Sequence, residues 1–368
     1  MTSPLAQEHQ TQLSPLEGWR AVPHRPSGYE DSCLIIATYQ RAAEVRRLIS
    51  RLGEMPDVPA EVLIVDGSPG NESERALVEL LAEHPLPFEL VYVRSPKGLT
   101  RQRNVGVDIS TKSILFFLDD DALPLPGYFS ELRRVLVDDL NGTIGAAGAC
   151  IVNEIDKPIP RRWWIRRAVR LIPRTEPLIY NDVGTSAPGG LMRPFSGVRD
   201  VDIFAGGACA IRRKVLESVR FSEFFDGYSW GEDLEMSLRI RRRWRVVYCG
   251  KARALHYGVH CPGGRPAAFT RGRMEVRNRV FIWRRYSRSA SLLNKIRFCL
   301  DLLFIFLLDL AWFVARPWDG YCLSHAGGLA TGALSCLGSP PEWEEGAALP
   351  RYRLIEIRNT HWGSQCCR

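Results

Sequence analysis

The stretch SILFFLDDDALPLPGYF (residues 113–129) decides how the rest of the chain is read. Residues 114–118 are apolar without a break, so a strand there has no wet face and must be covered on both sides. Asp119, Asp120 and Asp121 follow at once, and then a proline-broken turn. Side chains at i and i+2 of an extended segment point the same way, so Asp119 and Asp121 converge while Asp120 points elsewhere. Two converging carboxylates repel unless a cation lies between them. Oxygen ligands suit a hard ion, Mg2+ or Mn2+, completed by water and substrate phosphates. The competing explanation is an acidic turn that caps a helix over 126–140 through its N-terminal dipole, although one aspartate would suffice for that.

Outward from this stretch, strand and helix patterns alternate. SCLIIAT (32–38), EVLIVDGS (61–68) and FELVYVRS (88–95) read as buried strands. RAAEVRRLISRLG (41–53), ESERALVELLAEH (72–84) and LTRQRNVGVDIS (99–110) read as the helices between them. Apolar strands separated by amphipathic helices predict an α/β fold, an open and mostly parallel sheet flanked by helices. In such sheets ligands bind beyond the carboxyl ends of the strands. Those ends carry Thr38-Tyr39-Gln40-Arg41, Asp66-Gly67-Ser68, Lys97-Gly98 and the aspartate triplet. Loops are polar in any protein, but four such ends on one edge predict a pocket for a polar, charged ligand.

Bulk composition agrees. With 45% hydrophobic and 24% charged residues the chain of 368 is globular rather than disordered. Lys+Arg 49 against Asp+Glu 41 gives a formal charge of +8, which suits anionic partners such as nucleotide phosphates or acidic lipid. No nucleic-acid-binding motif stands out, so nucleic acid is not an expected partner. The 10 cysteines form no C-x-x-C pair, and several (Cys33, Cys150, Cys209, Cys249) sit in apolar runs. They read as buried free thiols of a reducing cytoplasm. Residues 1–30 lack the pattern of a signal peptide and read as a loose tail.

Taken in order, CLIIATYQR, LIVDGS, KGLTRQRNVGV, FFLDDDALP, FAGGACAIRR and GEDLEMSLRIRRR resemble the family 2 glycosyltransferases of GT-A fold, over roughly residues 30–285. The resemblance implies inverting transfer of a sugar from a nucleotide-diphosphate donor to an acceptor hydroxyl. It implies that Thr38, Tyr39 and Arg41 hold the nucleotide and that Asp66 recognises the base. Lys97, Arg103 and Asn104 would line the nucleotide and diphosphate. Asp119 and Asp121 match the D-x-D pair that contacts ribose and metal. Because Asp120 is also acidic, an Asp120–Asp121 register stays open, with Asp119 and Asp120 on the nucleotide and Asp121 on the metal.

In the second half, IFAGGACAIRRKVL (203–216) reads as a strand broken at Gly206-Gly207 and then a helix. Glycines inside a strand mark a bulge or a close approach by ligand or backbone; the resemblance puts the donor sugar and acceptor there. Further on, Gly231 breaks the chain and Glu232-Asp233 open a helix. Acids at a helix start are common for dipole reasons alone, but the resemblance makes Asp233 the general base, a role that inverting displacement needs. Trp230 and Tyr228 beside it are candidates to stack on an acceptor sugar, with Glu232 on the same side. His256, after a short strand at 245–249, matches a position near diphosphate or metal. The basic segment with Arg271, Arg273, Arg277 and Asn278 could hold a phosphate or be a solvated face. A sugar-nucleotide pyrophosphorylase would need a glycine-rich loop after the first strand, where Thr38–Arg41 has no glycine. A non-catalytic carbohydrate-binding protein would not need the triplet and Asp233 together.

Two segments suggest a membrane surface. RRWWIRRAVR (161–170) interleaves paired tryptophans with five arginines, the pattern of an interfacial helix. FCLDLLFIFLLDLAWFVA (298–315) is close to spanning length, but Asp301 and Asp309 would each cost about 2.5–3.5 kcal/mol near a helix centre. It reads as a buried or membrane-resting helix. The expected organisation is a tail (1–30), the GT-A domain (31–287), a membrane-associated apolar helical region (288–337) and a second tail (338–368). The expected setting is cytoplasmic, at the inner face of the membrane, with a glycan or lipid-linked acceptor.

Overall fold

The computed structural model describes residues 16–22, 28–155, 157–225, 228–259, 266–287, 291–338 and 352–358. The strands are β1 (Leu16–Val22), β2 (Tyr29–Thr38), β3 (Pro59–Asp66), β4 (Glu89–Arg94), β5 (Ile114–Leu118), β6 (Ala122–Pro124), β7 (Ile144–Ile151), β8 (Val198–Asp200), β9 (Ala208–Arg212), β10 (Arg245–His256) and β11 (Tyr352–Arg358). The helices are α1 (Ala42–Gly53), α2 (Glu72–Glu83), α3 (Leu99–Ile109), α4 (Tyr128–Val137), α5 (Val152–Ile155), α6 (Arg161–Ala168), α7 (Arg213–Leu216), α8 (Glu232–Ile240), α9 (Ala268–Tyr286), α10 (Leu292–Ala315) and α11 (Gly320–Gly338).

All but β8 lie in the order β11-β1-β4-β3-β2-β5-β9-β7-β10-β6, and β8 pairs with β10. The pairs β4–β3, β3–β2 and β2–β5 are parallel. Alternation along each strand feeds two cores. Leu34, Ile36, Val62 and Ile64 pack on one face, and Cys33, Ile35, Leu63 and Val65 on the other. Helix α1 buries Val45, Leu48, Ile49 and Leu52, the i, i+3, i+4, i+7 stripe of an amphipathic helix. The carboxyl ends of β2, β3 and β5 thereby share one edge.

The ends of the chain differ from expectation. Residues 16–22, expected in a loose tail, form β1, which runs antiparallel to β4 and buries Trp19 and Ala21. Residues 352–358, expected in the second tail, form β11, parallel to β1. Residues 1–15 lie outside the described residues.

Beyond the sheet, α9 and α11 pack backbone to backbone. A Cβ at Gly272 would overlap the His325 carbonyl oxygen, and one at Gly328 that of Phe269. Helix α10 is joined to them by charge. Asp301, fully buried, accepts from Arg166 of α6 (2.5 and 2.6 Å) and from Arg279 of α9 (2.5 Å). Asp309 pairs with His325 of α11 at 2.6 Å. Both carboxylates that made this helix costly in lipid are thus satisfied inside the protein. Asp301→Ala, which strands two guanidiniums, is expected to cost about 3–5 kcal/mol. Urea unfolding checks this, and an unchanged midpoint would mean that the clasp contributes nothing.

Candidate active site

Beyond the strand ends lies a cavity of about 530 Å3, lined among others by Thr38, Tyr39, Arg41, Lys97, Asp119, Asp120, Asp121, Trp230, Glu232, Asp233 and His256. Strand β5 stops at Leu118, so the aspartates sit in a tight turn rather than on an extended strand, and Ala122 N–H donates to Asp119 O (3.0 Å). The turn aims Asp119 and Asp121 at His256, with ligand atoms of all three within 4.8 Å of one another. Asp120 turns away. It accepts from Thr38 Oγ1 (2.7 Å) and Arg41 Nη1 (2.6 Å). This geometry separates the two registers left open by the sequence: Asp119 and Asp121 converge, and Asp120 braces the loop after β2.

His256 is the last residue of a twelve-residue strand rather than a residue beyond a short one. Its Nε2 lies 3.1 Å from Asp121 and its Nδ1 3.0 Å from Glu154 Oε1. Hydrogen bonds to Asp121 and then to Glu154 push His256 up to about 10. Burial alone would raise Asp121, but the bond and charge of His256, with Arg41, hold it below the ordinary value. The donor set of two carboxylates and an imidazole fits a divalent ion that accepts both oxygen and nitrogen, as Mn2+ does. The Glu154 contact is of the kind that orients the ring of a histidine able to bind metal.

A second line of charge runs inward from this cluster. Arg103, buried, donates to Asp119 Oδ1 (3.1 Å) and to Glu232 Oε1 (2.9 Å). It is a strut between the turn and the start of α8, and it does not line the cavity. Gly231, at φ 89°, lets the chain turn into α8. Burial pushes the Glu232 carboxyl up to about 8, with the neighbouring charge of Asp233 adding to it and Arg103 opposing. Asp233 accepts from the Leu234 amide through Oδ1 (2.7 Å), and burial raises its pKa as well.

Other expected residues lie elsewhere. Asn104 is clamped to the main chain of Phe221, donating to its O (2.8 Å) and accepting from its N–H (2.9 Å). One step along a helix turns the side chain by about 100°, which takes Asn104 off the face of Arg103. Asp66 is turned inward, accepting from the Ser68 amide (2.8 Å) and Tyr92 OH (3.0 Å). Gly206 and Gly207 precede β9 rather than interrupt it. A Cβ at Gly207 would overlap the Asp119 carboxylate, so the close approach there is made by the site's own side chain. Lys97, by contrast, is in the cavity wall and lies over the Tyr39 ring at 4.0 Å. Asn278 donates to Trp230 O (2.6 Å), and Arg277 to Phe224 O (2.7 Å), so both hold loops.

Three contributors went unnoticed in the sequence. Glu154 gives no local signal, because it meets His256 only through the fold. The Val259 amide, which donates to Asp121 (2.9 Å), is equally silent. Gln102 bridges the ends of β2 and β3, donating to Thr38 O (2.7 Å) and Val65 O (2.8 Å).

The model of the family described as glycosyl transferase family 2 matches residues 33–220, about half of the chain. A Haemophilus influenzae protein named as an uncharacterized glycosyltransferase is 31% identical over 108 residues, 29% of this chain and 35% of its own length. The succinoglycan biosynthesis protein ExoM of Rhizobium meliloti is 28% identical over 197 residues, 48% of this chain and 60% of that protein. The chain therefore matches only part of the length of these relatives. Among solved structures, the mannosyltransferase PcManGT from Pyrobaculum calidifontis in complex with GDP-Man and Mn2+ is similar at a TM-score of 0.50 and 16% identity, covering 87% of this chain and 90% of that one. GalNAc-T7 with UDP, GalNAc and Mn2+ is similar at 0.51 and 15% identity, covering 85% and 58%. At such identities the likeness is one of fold.

Proposed function

The chain belongs to glycosyl transferase family 2, and from that premise we propose that it is an inverting transferase moving a sugar from a nucleotide-diphosphate donor to an acceptor hydroxyl. The observation that carries this reading is the convergence of Asp119, Asp121 and His256 on a cavity whose wall also holds Asp233. Thr38, Tyr39 and Arg41 would hold the nucleotide, and Asp66 would act on the base side through the loop it braces. Lys97 would bring positive charge to the diphosphate. Asp119, Asp121 and His256 would hold Mn2+ or Mg2+. When bound, such an ion neutralises charge on the departing diphosphate.

Asp233 would take the acceptor proton. Its carboxylate accepts from the Leu234 amide through Oδ1 and from the Gly206 amide, and these bonds would fix its orientation for this work. As the acceptor oxygen bonds to the anomeric carbon, the bond from that carbon to the diphosphate breaks on the opposite face. Glu232 would stay tied to Arg103 and set the position of the helix start. Trp230 would offer a ring to the acceptor. A thermal-shift panel of nucleotide diphosphates and nucleotide sugars, with and without Mn2+, tests the reading. One nucleotide series should stabilise the protein, and only with the metal; no shift by any member, or shifts indifferent to metal, would defeat it.

The membrane reading belongs to the same proposal. Helix α10 is long and apolar enough to cross a membrane by length and composition, and little of it is buried inside the protein. Its Leu292, Leu293, Ile296, Leu300, Leu303 and Leu307 are exposed. Asp301 lies nine residues in, about 13 Å along the axis. A spanning α10 would therefore drag Arg166 and Arg279 about that far into lipid, which favours a helix that rests on the surface. Exposed Trp164 and Ile165 of α6 stand among arginines, which suits an anionic bilayer. The expected setting is the cytoplasmic face of the membrane, in synthesis of a cell-surface or lipid-linked glycan. Leu303→Asp with Leu307→Asp should abolish flotation with phosphatidylglycerol vesicles, and added salt should weaken it in the parent chain. Flotation untouched by both would sink the surface assignment.

A further inference from the structure

A second cavity of about 270 Å3 lies between α6, the loop before β8, α9 and α10. Trp230 and Leu234 line both this cavity and the larger one, so the two are neighbours across the start of α8. Its wall has an excess of positive charge. Arg166 and Arg279 share the single carboxylate of Asp301. Arg162, also in the wall and exposed, makes no ion pair among the described residues. The lining carboxylate, Glu275, faces His325 of α11 at 3.6 Å. Three guanidiniums thus stand against two carboxylates, Asp301 and Glu275, the second of which also faces the His325 ring. The remaining wall is split in character. Ser186 offers a hydroxyl at one side, beside Thr185 whose own hydroxyl bonds Asn181 (2.8 and 3.2 Å), and Ile282 and Ile305 offer apolar surface at the other. Ile305 belongs to α10, between the exposed Leu303 and Leu307.

We infer that this second cavity is the acceptor subsite, and that it takes a phosphate ester carrying an apolar chain. The excess guanidinium charge receives the phosphate, because arginine matches phosphate oxygens with paired donors. The Ser186 hydroxyl adds a hydrogen bond to it. At about 270 Å3 the space falls below the ~300–1,000 Å3 of sites that enclose a whole drug-sized ligand. It is sized for a head group, and the chain leaves past Ile305 onto the apolar face of α10. A hydroxyl of the acceptor, on a sugar that the same phosphate links to the chain, then reaches toward Asp233 beside Trp230; its oxygen bonds to the anomeric carbon, Asp233 takes its proton, and the donor's diphosphate leaves. This rests on the transferase reading above, and it adds the chemical class of acceptor, which neither the family nor the fold supplies.

The test uses the full chain and dodecyl phosphate below its micelle concentration, with inorganic phosphate as a second probe, by titration calorimetry. Two variants, Arg162→Glu and Ser186→Trp, remove charge and fill space separately. Dodecyl phosphate should bind the parent chain more tightly than inorganic phosphate does, and each variant should weaken it at least tenfold. Binding of a nucleotide diphosphate with Mn2+ should be the same in all three proteins, which also shows that the variants are folded. Equal affinity for both probes, no binding of the alkyl ester, or an affinity that neither variant moves would overturn the subsite. Failure of the nucleotide to bind the parent chain would instead overturn the transferase reading, so the two failures are distinguishable.

Discussion

Asp233→Asn is expected to lower sugar transfer by about 10²–10⁴-fold, the range of a lost general base, and to leave metal-dependent nucleotide binding intact. The amide keeps the shape of the carboxylate and can still accept from Leu234 N–H, so the start of α8 should hold. Steady-state transfer with the donor found by the thermal-shift panel measures the effect, and calorimetry measures binding in parallel. Retained transfer would remove Asp233 as the base. The pH dependence adds an independent check. Burial lifts the Asp233 carboxyl above the ordinary aspartate range, against the pull of the Leu234 amide and Arg103. The base must be ionised, so kcat/KM should fall as pH drops through that raised value, higher than the ~3.9 of a free aspartate. If Glu232 were the base, the acid limb would sit near its own value of about 8.

Gly207→Ala should be nearly as damaging, although residue 207 does not line the cavity. The new methyl would overlap Oδ2 and Cγ of Asp119. The backbone cannot easily part to make room, because Asp119 N–H donates to Gly207 O (3.1 Å). The carboxylate must swing instead, and a displacement of about 1 Å at a reacting site costs on the order of 10²-fold in rate. Affinity for Mn2+ should fall about 10–100-fold, as when the support of a metal ligand is lost. Overpacking should cost only about 1–3 kcal/mol of stability. Gly206→Ala is the comparison: there the methyl meets the Arg103 guanidinium at 2.8 Å and Asp233 Cβ at 3.1 Å, so it presses on the strut and the start of α8 and not directly on Asp119. Calorimetric titration of Mn2+ into both variants decides the matter: equal, parent-like affinity would show that Asp119 is not held as described.

The parallel half of the sheet was legible because its strands are continuous apolar runs, which leave few alternatives. Strand β1, LEGWRAV, was not. Its charged residues, Glu17 and Arg20, stand three apart and break the alternation of a strand, and only Trp19 and Ala21 are buried in the core, so it reads as linker until its partner β4 is known. Strand β11, YRLIEIR, alternates but stands alone near the end of the chain. Within the site, the aspartate triplet and the Glu232-Asp233 pair were visible as local clusters of charge. The reason given for convergence was incomplete, since a turn and not a strand does the aiming. The phase of α3 was not legible. Whether Arg103 or Asn104 faces the aspartate turn depends on which side of the helix meets Phe221, and that contact spans more than a hundred residues. Glu154 was hidden for the same reason.

The strut formed by Arg103 has a mechanical consequence. One guanidinium grips the turn that would carry the ion and, at its other end, the first residue of the helix that carries Asp233. Donor and acceptor halves of the mouth are therefore gauged against each other by a rod of fixed length. Thermal drift of either half is transmitted to the other, so the gap across which a sugar would travel keeps its width before any substrate arrives.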